Sequence, residues 1–331
     1  MNPGVVNASC AQPGGAATAP PVTDVSVVVS CYNYEQYVSR AVSSALGQTH
    51  SPREIIVVDD GSTDKSRDVL NRQFGGDPRV RLVFQNNGGQ YCALANAFKQ
   101  AQGTHIALLD ADDWWEEDYL AKLVKVINAN PSADVVNATL LYAGARKGRL
   151  AVGTVDRVAG MSVVRVSARQ SVLGAPTSGV SLTAALARKL SALPVPLQGE
   201  WRLEADAALH VLASIFGAIR YEWAGCASAR YSIHGENLFV SAERSPGFAL
   251  RRQLKLLRLV EWAGRQSGAM ADLRRYAVLE FITIAAPTAR EALLYIALQL
   301  SADEPLTVRL RHCTRIFIRF LKSRVFSRRS A

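Results

Sequence analysis

The stretch His105–Trp115, HIALLDADDWW, sets the fold class. Its apolar run, Ile106 to Leu109, stops abruptly at three carboxylates, Asp110, Asp112 and Asp113. Apolar residues followed at once by acids describe a buried strand whose carboxyl end opens into a site. Three carboxylates so close repel one another unless a cation sits among them. A hard divalent ion, Mg²⁺ or Mn²⁺, takes oxygen ligands and completes its shell with phosphate. The competing reading is a solvated acidic turn before the next helix, where Asp and Glu complement the helix dipole.

Two upstream stretches share this design. Val25 to Ser30, VSVVVS, is a β-branched run of buried-strand type, followed by Cys31-Tyr32-Asn33-Tyr34 and a helical stretch to about Leu46. Glu54 to Asp59, EIIVVD, is a second such strand. It ends in Asp59-Asp60 and a turn in which Ser62 or Thr63 would cap a helix to about Phe74. Val80 to Gln85 reads as a third strand, Asn86 to Gly89 as a loop, and about Gln90 to Gln102 as a helix closed by Gly103. After His105–Trp115 come a helix from Glu116 to Asn130, stopped by Pro131, and a strand from Asp134 to Thr139. This alternation predicts an α/β fold, a mainly parallel central sheet with helices on both faces. Ligands bind at the carboxyl ends of such strands. Tyr32, the Asp59-Asp60 pair and Asp110-Asp112 all fall on that edge, more polar groups than capping needs.

The pattern weakens downstream. Gly144 to Arg149 reads as a hairpin turn, Val152 to Val166 as short strands, and Pro176 to Gly179 as a loop. Leu182 to Leu193 reads as a helix. A second helix runs from Ala205 to about Phe216, and Tyr221 to Ala224 is a strand. Arg230–Asn237, RYSIHGEN, is a polar cluster, and the chain beyond about Pro246 reads as helical. Met1 to Thr23, rich in Gly, Pro, Ala and Asn, reads as a disordered leader.

With 331 residues, 49% hydrophobic and 20% charged, the chain can bury a substantial core. A net charge of +10 suits an anionic partner: a nucleotide, a nucleic acid or an anionic membrane surface. Five scattered cysteines without a CxxC pair argue against zinc and against a disulfide framework, and fit a reducing compartment. The absence of Lys and Arg before Arg40 argues against a secretory signal. No apolar run reaches the roughly 18–20 residues of a membrane span. Cytoplasmic residence, with contact at the inner membrane face, is the expectation.

No GxxxxGK[ST], GxGxxG or GxSxG motif occurs, so neither a P-loop NTPase, a dinucleotide dehydrogenase nor an elbow hydrolase is supported. There remain an aromatic face at Tyr32 able to stack on a base, acceptor carboxylates at Asp59 or Asp60, and metal-ready acids at Asp110 and Asp112. Taken singly, Tyr32 also reads as a buried Tyr and Asp59-Asp60-Gly61 as a turn signature.

The run VSVVVSCYNYEQYVSRAVSSALGQT, then EIIVVDDGSTD, NGGQYCALANAF and HIALLDADD, resembles the family 2 glycosyltransferases of GT-A fold over about Val25 to Asn137. RYSIHGEN extends the resemblance to about Asn237. It implies residues 24–240 as the transferase domain, with a nucleotide-sugar and metal half (24–140) and an acceptor half (141–240), and a basic helical region over 246–331. It also implies a nucleoside-diphosphate-sugar donor, Mg²⁺ or Mn²⁺, and a glycan or lipid-linked acceptor. Donor-binding positions would be Tyr32, Asn33, Asp59, Asp60, Gly89, Gln90, Asn96 and Asp110. Metal positions would be Asp112, Asp110 and His234, with Asn237 near the diphosphate. Asp206 fits the base of inverting members, and Glu204 competes because the family's adjacent acid pair is split here. The family's Arg before Asn96 is Ala95 in this chain. No QxxRW motif occurs, which argues against a processive polysaccharide synthase. Trp114, Trp115 and Trp201 read either as sugar-stacking faces or as core.

Toward the C-terminus, Arg251, Arg252, Lys255 and Arg258 recur at helical spacing, as do Arg311, Arg315, Arg319 and Lys322. Such helices suit an anionic membrane, or a solvated face over packed helices. No nucleic-acid module appears. Two other readings use the same residues: a non-catalytic nucleotide-sugar-binding protein and a nucleotidyltransferase.

Overall fold

A computed structural model describes residues 23–144, 147–150, 152, 154–160, 174–235, 248–267, 289–300 and 305–327. The expected leader, apart from Thr23, lies outside the described residues, as does Asn237.

Four strands, β1 (Val25–Cys31), β2 (Glu54–Asp59), β3 (Val80–Phe84) and β4 (His105–Asp110), run parallel in the order β3-β2-β1-β4. The register sets Cys31 opposite Asp59 and Ser30 opposite Asp110, so the polar strand ends share one edge. Val27 to Val29, Ile55 to Val58 and Ile106 to Leu109 are fully buried. Continuous β-branched and aliphatic runs are what a sheet covered on both faces requires. The helices α1 (Val38–Leu46), α2 (Ser66–Phe74), α3 (Gln90–Gln100) and α4 (Tyr119–Ala129) follow these strands. In α1 the buried residues are Val38, Ala41, Val42 and Ala45, one apolar stripe at helical spacing.

The eight-stranded sheet continues through β10 (Val180–Thr183), β6 (Val135–Ala138), β11 (Ile219–Trp223) and β9 (Arg157–Gly160). β10 is antiparallel to both β4 and β6, and β9 is antiparallel to β11. A second sheet, β5-β12-β7-β8, joins β5 (Trp114–Trp115), β12 (Ala229–Ile233), β7 (Leu140–Gly144) and β8 (Arg149–Leu150). Its β12 pairs with β5, which brings Ser232 and His234 to the acids that follow β4. The hairpin expected around Gly144 to Arg149 is the antiparallel β7–β8 pair.

Several sequence expectations are corrected. Leu182 and Thr183 belong to β10; α5 covers Ala184–Ser191, capped by Thr183 Oγ1 accepting from Leu186 N at 3.3 Å. The helix expected from Glu116 begins at Tyr119, because Trp114 and Trp115 pair with β12. Neither Ser62 nor Thr63 caps α2, whose N-cap is Lys65; Ser62 Oγ accepts from Asn33 N instead. Gly103 is not the cap of α3, which ends at Ala101. A Cβ on Gly103 would stand 2.6 Å from Ser26 N, so glycine lets the chain cross close to β1.

Two further helices, α6 (Val195–Gln198) and α7 (Ala205–Ile215), precede β11. The helix α8 (Phe248–Ser267) places Leu259 and Ala263 in the main core. Arg258 pairs with Glu200 at 3.2 Å, and Lys255 Nζ lies 5.9 Å from the centre of the Trp201 ring. These two cations of the first basic stretch therefore face the protein body. The last described helices are α9 (Ala289–Leu300) and α10 (Leu306–Ser327). Among the described residues, no helix is long and apolar enough to cross a membrane.

Gln48 ties α1 to α4. Its Nε2 donates to Ser44 O (2.9 Å) and Glu116 O (2.8 Å), and its Oε1 accepts from Leu120 N (2.8 Å). A Gln48→Leu substitution should lower stability by about 1–3 kcal/mol for each buried group left unsatisfied. Urea denaturation should show an earlier midpoint at unchanged slope; an unchanged midpoint would contradict the tie.

Candidate active site

The acids at the end of β4 are held by a network from five parts of the chain. Asp110 Oδ1 accepts from Ser30 Oγ (2.9 Å) on β1 and from Gln90 Nε2 (2.8 Å) at the start of α3. Ser178, in a 3₁₀ turn at Thr177–Gly179, accepts from Asp110 N (3.0 Å) and donates to Asp113 Oδ2 (2.5 Å). Asp113 Oδ1 accepts from Ser232 N (2.7 Å) on β12. Asp112 Oδ2 lies 3.1 Å from His234 Nε2, and Asp112 O accepts from Arg40 Nη2 at 3.0 Å. The His234 ring stacks on Tyr37 with centres 4.3 Å apart. One oxygen from each of Asp110, Asp112 and Asp113 falls within 4.8 Å of the others.

Burial and mutual repulsion disfavour charge on this cluster. Asp110 is pushed up to about 7, by burial first and then by Asp112. Asp113 rises well above the carboxylate range for the same reasons, and Asp112 rises through burial, opposed by His234. Tyr34 and Tyr231 are raised by burial and by the neighbouring acids.

The corner between β1 and β2 is equally ordered. Asn33 takes a left-handed backbone, φ 56°, and its Oδ1 accepts from Thr63 N at 2.7 Å. Asp60 Oδ1 accepts from Gln85 Nε2 (2.7 Å) and Gly88 N (2.8 Å), and its Oδ2 from Gly89 N (2.7 Å). Asn96 Nδ2 donates to Gln85 Oε1 at 2.8 Å, so Asn96 acts on Asp60 through Gln85. Gly89, at φ 93°, has Arg202 packed where a Cβ would stand. Asp59 accepts from Arg67 Nη2 at 3.1 Å, while its Oδ1 is buried without a hydrogen-bond partner among the described residues. Tyr32 is half-buried beside this corner.

Asp206 lies in the first turn of α7, its Oδ1 accepting from Ala207 N at 2.7 Å. It is among the neighbours that raise Asp110 and Tyr231. Gln90 makes the link: Nε2 holds Asp110, and Oε1 accepts from Ala205 N at 3.3 Å. Glu204, at the N-cap position, has a buried side chain that makes no capping bond.

The structure therefore gathers Asp110, Asp112, His234 and Asp206 at one edge, with Tyr32, Asp59 and Asp60 along it. Trp115 and Trp201 are almost fully buried, which makes them core. Trp115 stacks on Tyr119 and donates to Ser178 O at 2.9 Å. Trp114 is covered by the Arg40 guanidinium, 3.7 Å from the ring centre. Sequence reasoning missed Ser30, Ser178, Ser232, Tyr37 and Arg40. Ser30 closes the VSVVVS run, Ser232 lies in RYSIHGEN, and Tyr37 and Arg40 lie in the motif stretch after β1; Ser178 sits in an ordinary turn.

The fold and the acid cluster together define a GT-A transferase architecture. A model of glycosyl transferase family 2 matches residues 26–179. An uncharacterised glycosyltransferase of Nostoc sp. strain PCC 7120 is 33% identical over 228 residues, 66% of this chain and 67% of that protein. The chondroitin synthase of Pasteurella multocida is 40% identical over 101 residues, 30% of this chain but 10% of that protein. S. aureus TarS 1–349, solved in complex with UDP-GlcNAc, shares the fold with a TM-score of 0.58 at 16% identity, covering 93% of this chain and 92% of that one. The chain belongs to glycosyl transferase family 2, and it is a glycosyltransferase.

The raised Asp110 has a thermodynamic consequence. A carboxyl whose folded pKa exceeds its unfolded value stabilises the fold below the unfolded value, and that stability is lost as pH rises through about 7. Without divalent ions, thermal unfolding should therefore occur at lower temperature at pH 8 than at pH 6. Saturating Mn²⁺ should flatten the difference. An Asp110→Asn protein with the same pH dependence as the parent would contradict the assignment.

Proposed function

We propose that the chain transfers a glycosyl group from a nucleoside-diphosphate sugar to a hydroxyl of a glycan or lipid-linked glycan, with inversion at the anomeric carbon. The observation that carries this is the gathering of Asp110, Asp112 and Asp206 at the carboxyl edge of a mainly parallel sheet, with Gln90 tying Asp110 to the Ala205 backbone beside Asp206. Residues 24–140 form the donor half in this reading, and 141–240 the acceptor half.

The donor base stacks on Tyr32 and meets the Asp59–Asp60 corner. The unpartnered Asp59 Oδ1 is an acceptor suited to a base N–H. Asp60 holds the Gly88-Gly89 backbone, and Asn33 the opposite loop, so the two walls are set before the donor arrives. Asn96 contributes through Gln85.

The donor set fits Mg²⁺ or Mn²⁺: it is all carboxylate oxygen, half-buried at Asp110 and buried at Asp112 and Asp113, and its charges repel one another in the absence of a cation. Both oxygens of Asp113 are engaged by Ser178 and Ser232, which leaves Asp110 and Asp112 to hold the ion, with His234 beside Asp112. When bound, such an ion neutralises charge that develops on the departing diphosphate. Asp206 takes the proton of the acceptor hydroxyl as that oxygen attacks the anomeric carbon. Its half-exposed place near Asp110 suits this better than the buried Glu204.

Release of nucleoside diphosphate from a panel of nucleotide sugars, with Mn²⁺ present, identifies the donor. Asp112→Ala and Asp206→Asn should each lower kcat by about 10²–10⁴, with circular dichroism unchanged. Full activity in folded Asp112→Ala would refute the metal role, and release of pyrophosphate would identify a nucleotidyltransferase.

A further inference from the structure

The apolar side chains of α10 do not all pack inward. Toward α9, the helix buries His312, whose Nδ1 lies 3.0 Å from Gln299 Oε1, and Ile316; Cys313 Sγ lies 3.8 Å from Ile296 O. Arg309 Nη1 ties α10 to the end of α9 by donating to Leu300 O at 2.9 Å. A second apolar set stands in solvent: Leu306, Leu310, Phe317 and Leu321 are all exposed. At 3.6 residues per turn these four fall within an arc of about 60°. Ile318 borders that arc and is also exposed. Arg311, Arg315 and Lys322 are exposed and lie about 80–120° beyond the edge of that arc, between it and the packed His312. On α9, Leu293 and Leu300 are likewise exposed and, seven residues apart, share a face.

We propose that this face of α10 docks on an anionic lipid surface. The stripe is apolar, the exposed cations of the helix lie further round it past Thr307, Thr314 and Ile318, and the segment has no Asp or Glu after Glu304. Leu and Phe enter the boundary between headgroups and acyl chains, while Arg and Lys extend to the phosphates. Charge complementarity selects this occupant. A second copy of the chain would set like charges together, and a nucleic acid would engage the cations but leave the Leu and Phe stripe in water. The packed face that holds α10 to α9 stays intact, so docking needs no refolding of the hairpin.

The test uses the full chain and sedimentation with vesicles, which does not depend on sugar transfer and so stands or falls apart from the proposed chemistry. One variant combines Leu310→Ser, Phe317→Ser and Leu321→Ser; a second combines Arg311→Gln, Arg315→Gln and Lys322→Gln. Far-UV circular dichroism and hydrolysis of soluble donor should match the parent in both, since every substituted position is exposed. The parent should bind phosphatidylglycerol–phosphatidylcholine vesicles, and bind phosphatidylcholine alone more weakly by about tenfold or more. The apolar variant should lose binding to both, and the basic variant should lose the preference for phosphatidylglycerol. The proposal is overturned if neither vesicle is bound, if the variants bind as the parent does, or if the stripe instead drives vesicle-free self-association or RNA binding that the substitutions abolish.

Discussion

Three carboxylates crowded at the end of one buried strand are the constraint on which the rest of the structure depends. Asp110, Asp112 and Asp113 are too close and too dry to be ionised together without help. The fold meets this with donors brought from distant sequence: Ser30 from β1, Gln90 from α3, Ser178 from the turn before β10, and Ser232 from β12. Each of those elements has its place in a sheet or against one. The parallel order β3-β2-β1-β4, the antiparallel insertion of β10 and the small second sheet all converge on one corner.

The donors divide the acids by task. Asp113, with both oxygens taken, is structural: it pins the second sheet and the Ser178 turn to the end of β4. Asp110 and Asp112 are left, in the proposed reading, to hold the ion. Gln90 then couples Asp110 to α7, so the position of Asp206 is referred to that acid through a single side chain. In the proposed reading, a transfer that needs an ion held by acids on one side and a base on the acceptor side is served by such a rigid link.

The parts written in local pattern were legible in the sequence. β1, β2 and β4 announce themselves as β-branched and aliphatic runs ending in acids or an aromatic, and the helices after them follow the 3.6-residue stripe. β10 was not legible, because VSLT runs directly into the helix former AALARKL; its strand state comes from β4 and β6 on either side. The pairing of Trp114-Trp115 with β12 spans more than a hundred residues and leaves no local trace. Nor does a serine in a turn, such as Ser178, differ in sequence from any other turn serine. Asp60 and Asn96 were found by motif, but their work in holding the Gly88-Gly89 loop shows only in three dimensions. The basic helices were legible as a class. Which of them faces water was not, since α8 spends Arg258 and Lys255 on the protein body.

The most direct measurement is an anomalous difference map from crystals grown with Mn²⁺ and the nucleoside diphosphate released by the preferred donor. The expected result is one manganese peak between Asp110 and Asp112 in contact with the diphosphate, with Asp206 across the cleft. A diphosphate bound elsewhere, or bound with no manganese at these two carboxylates, would contradict it.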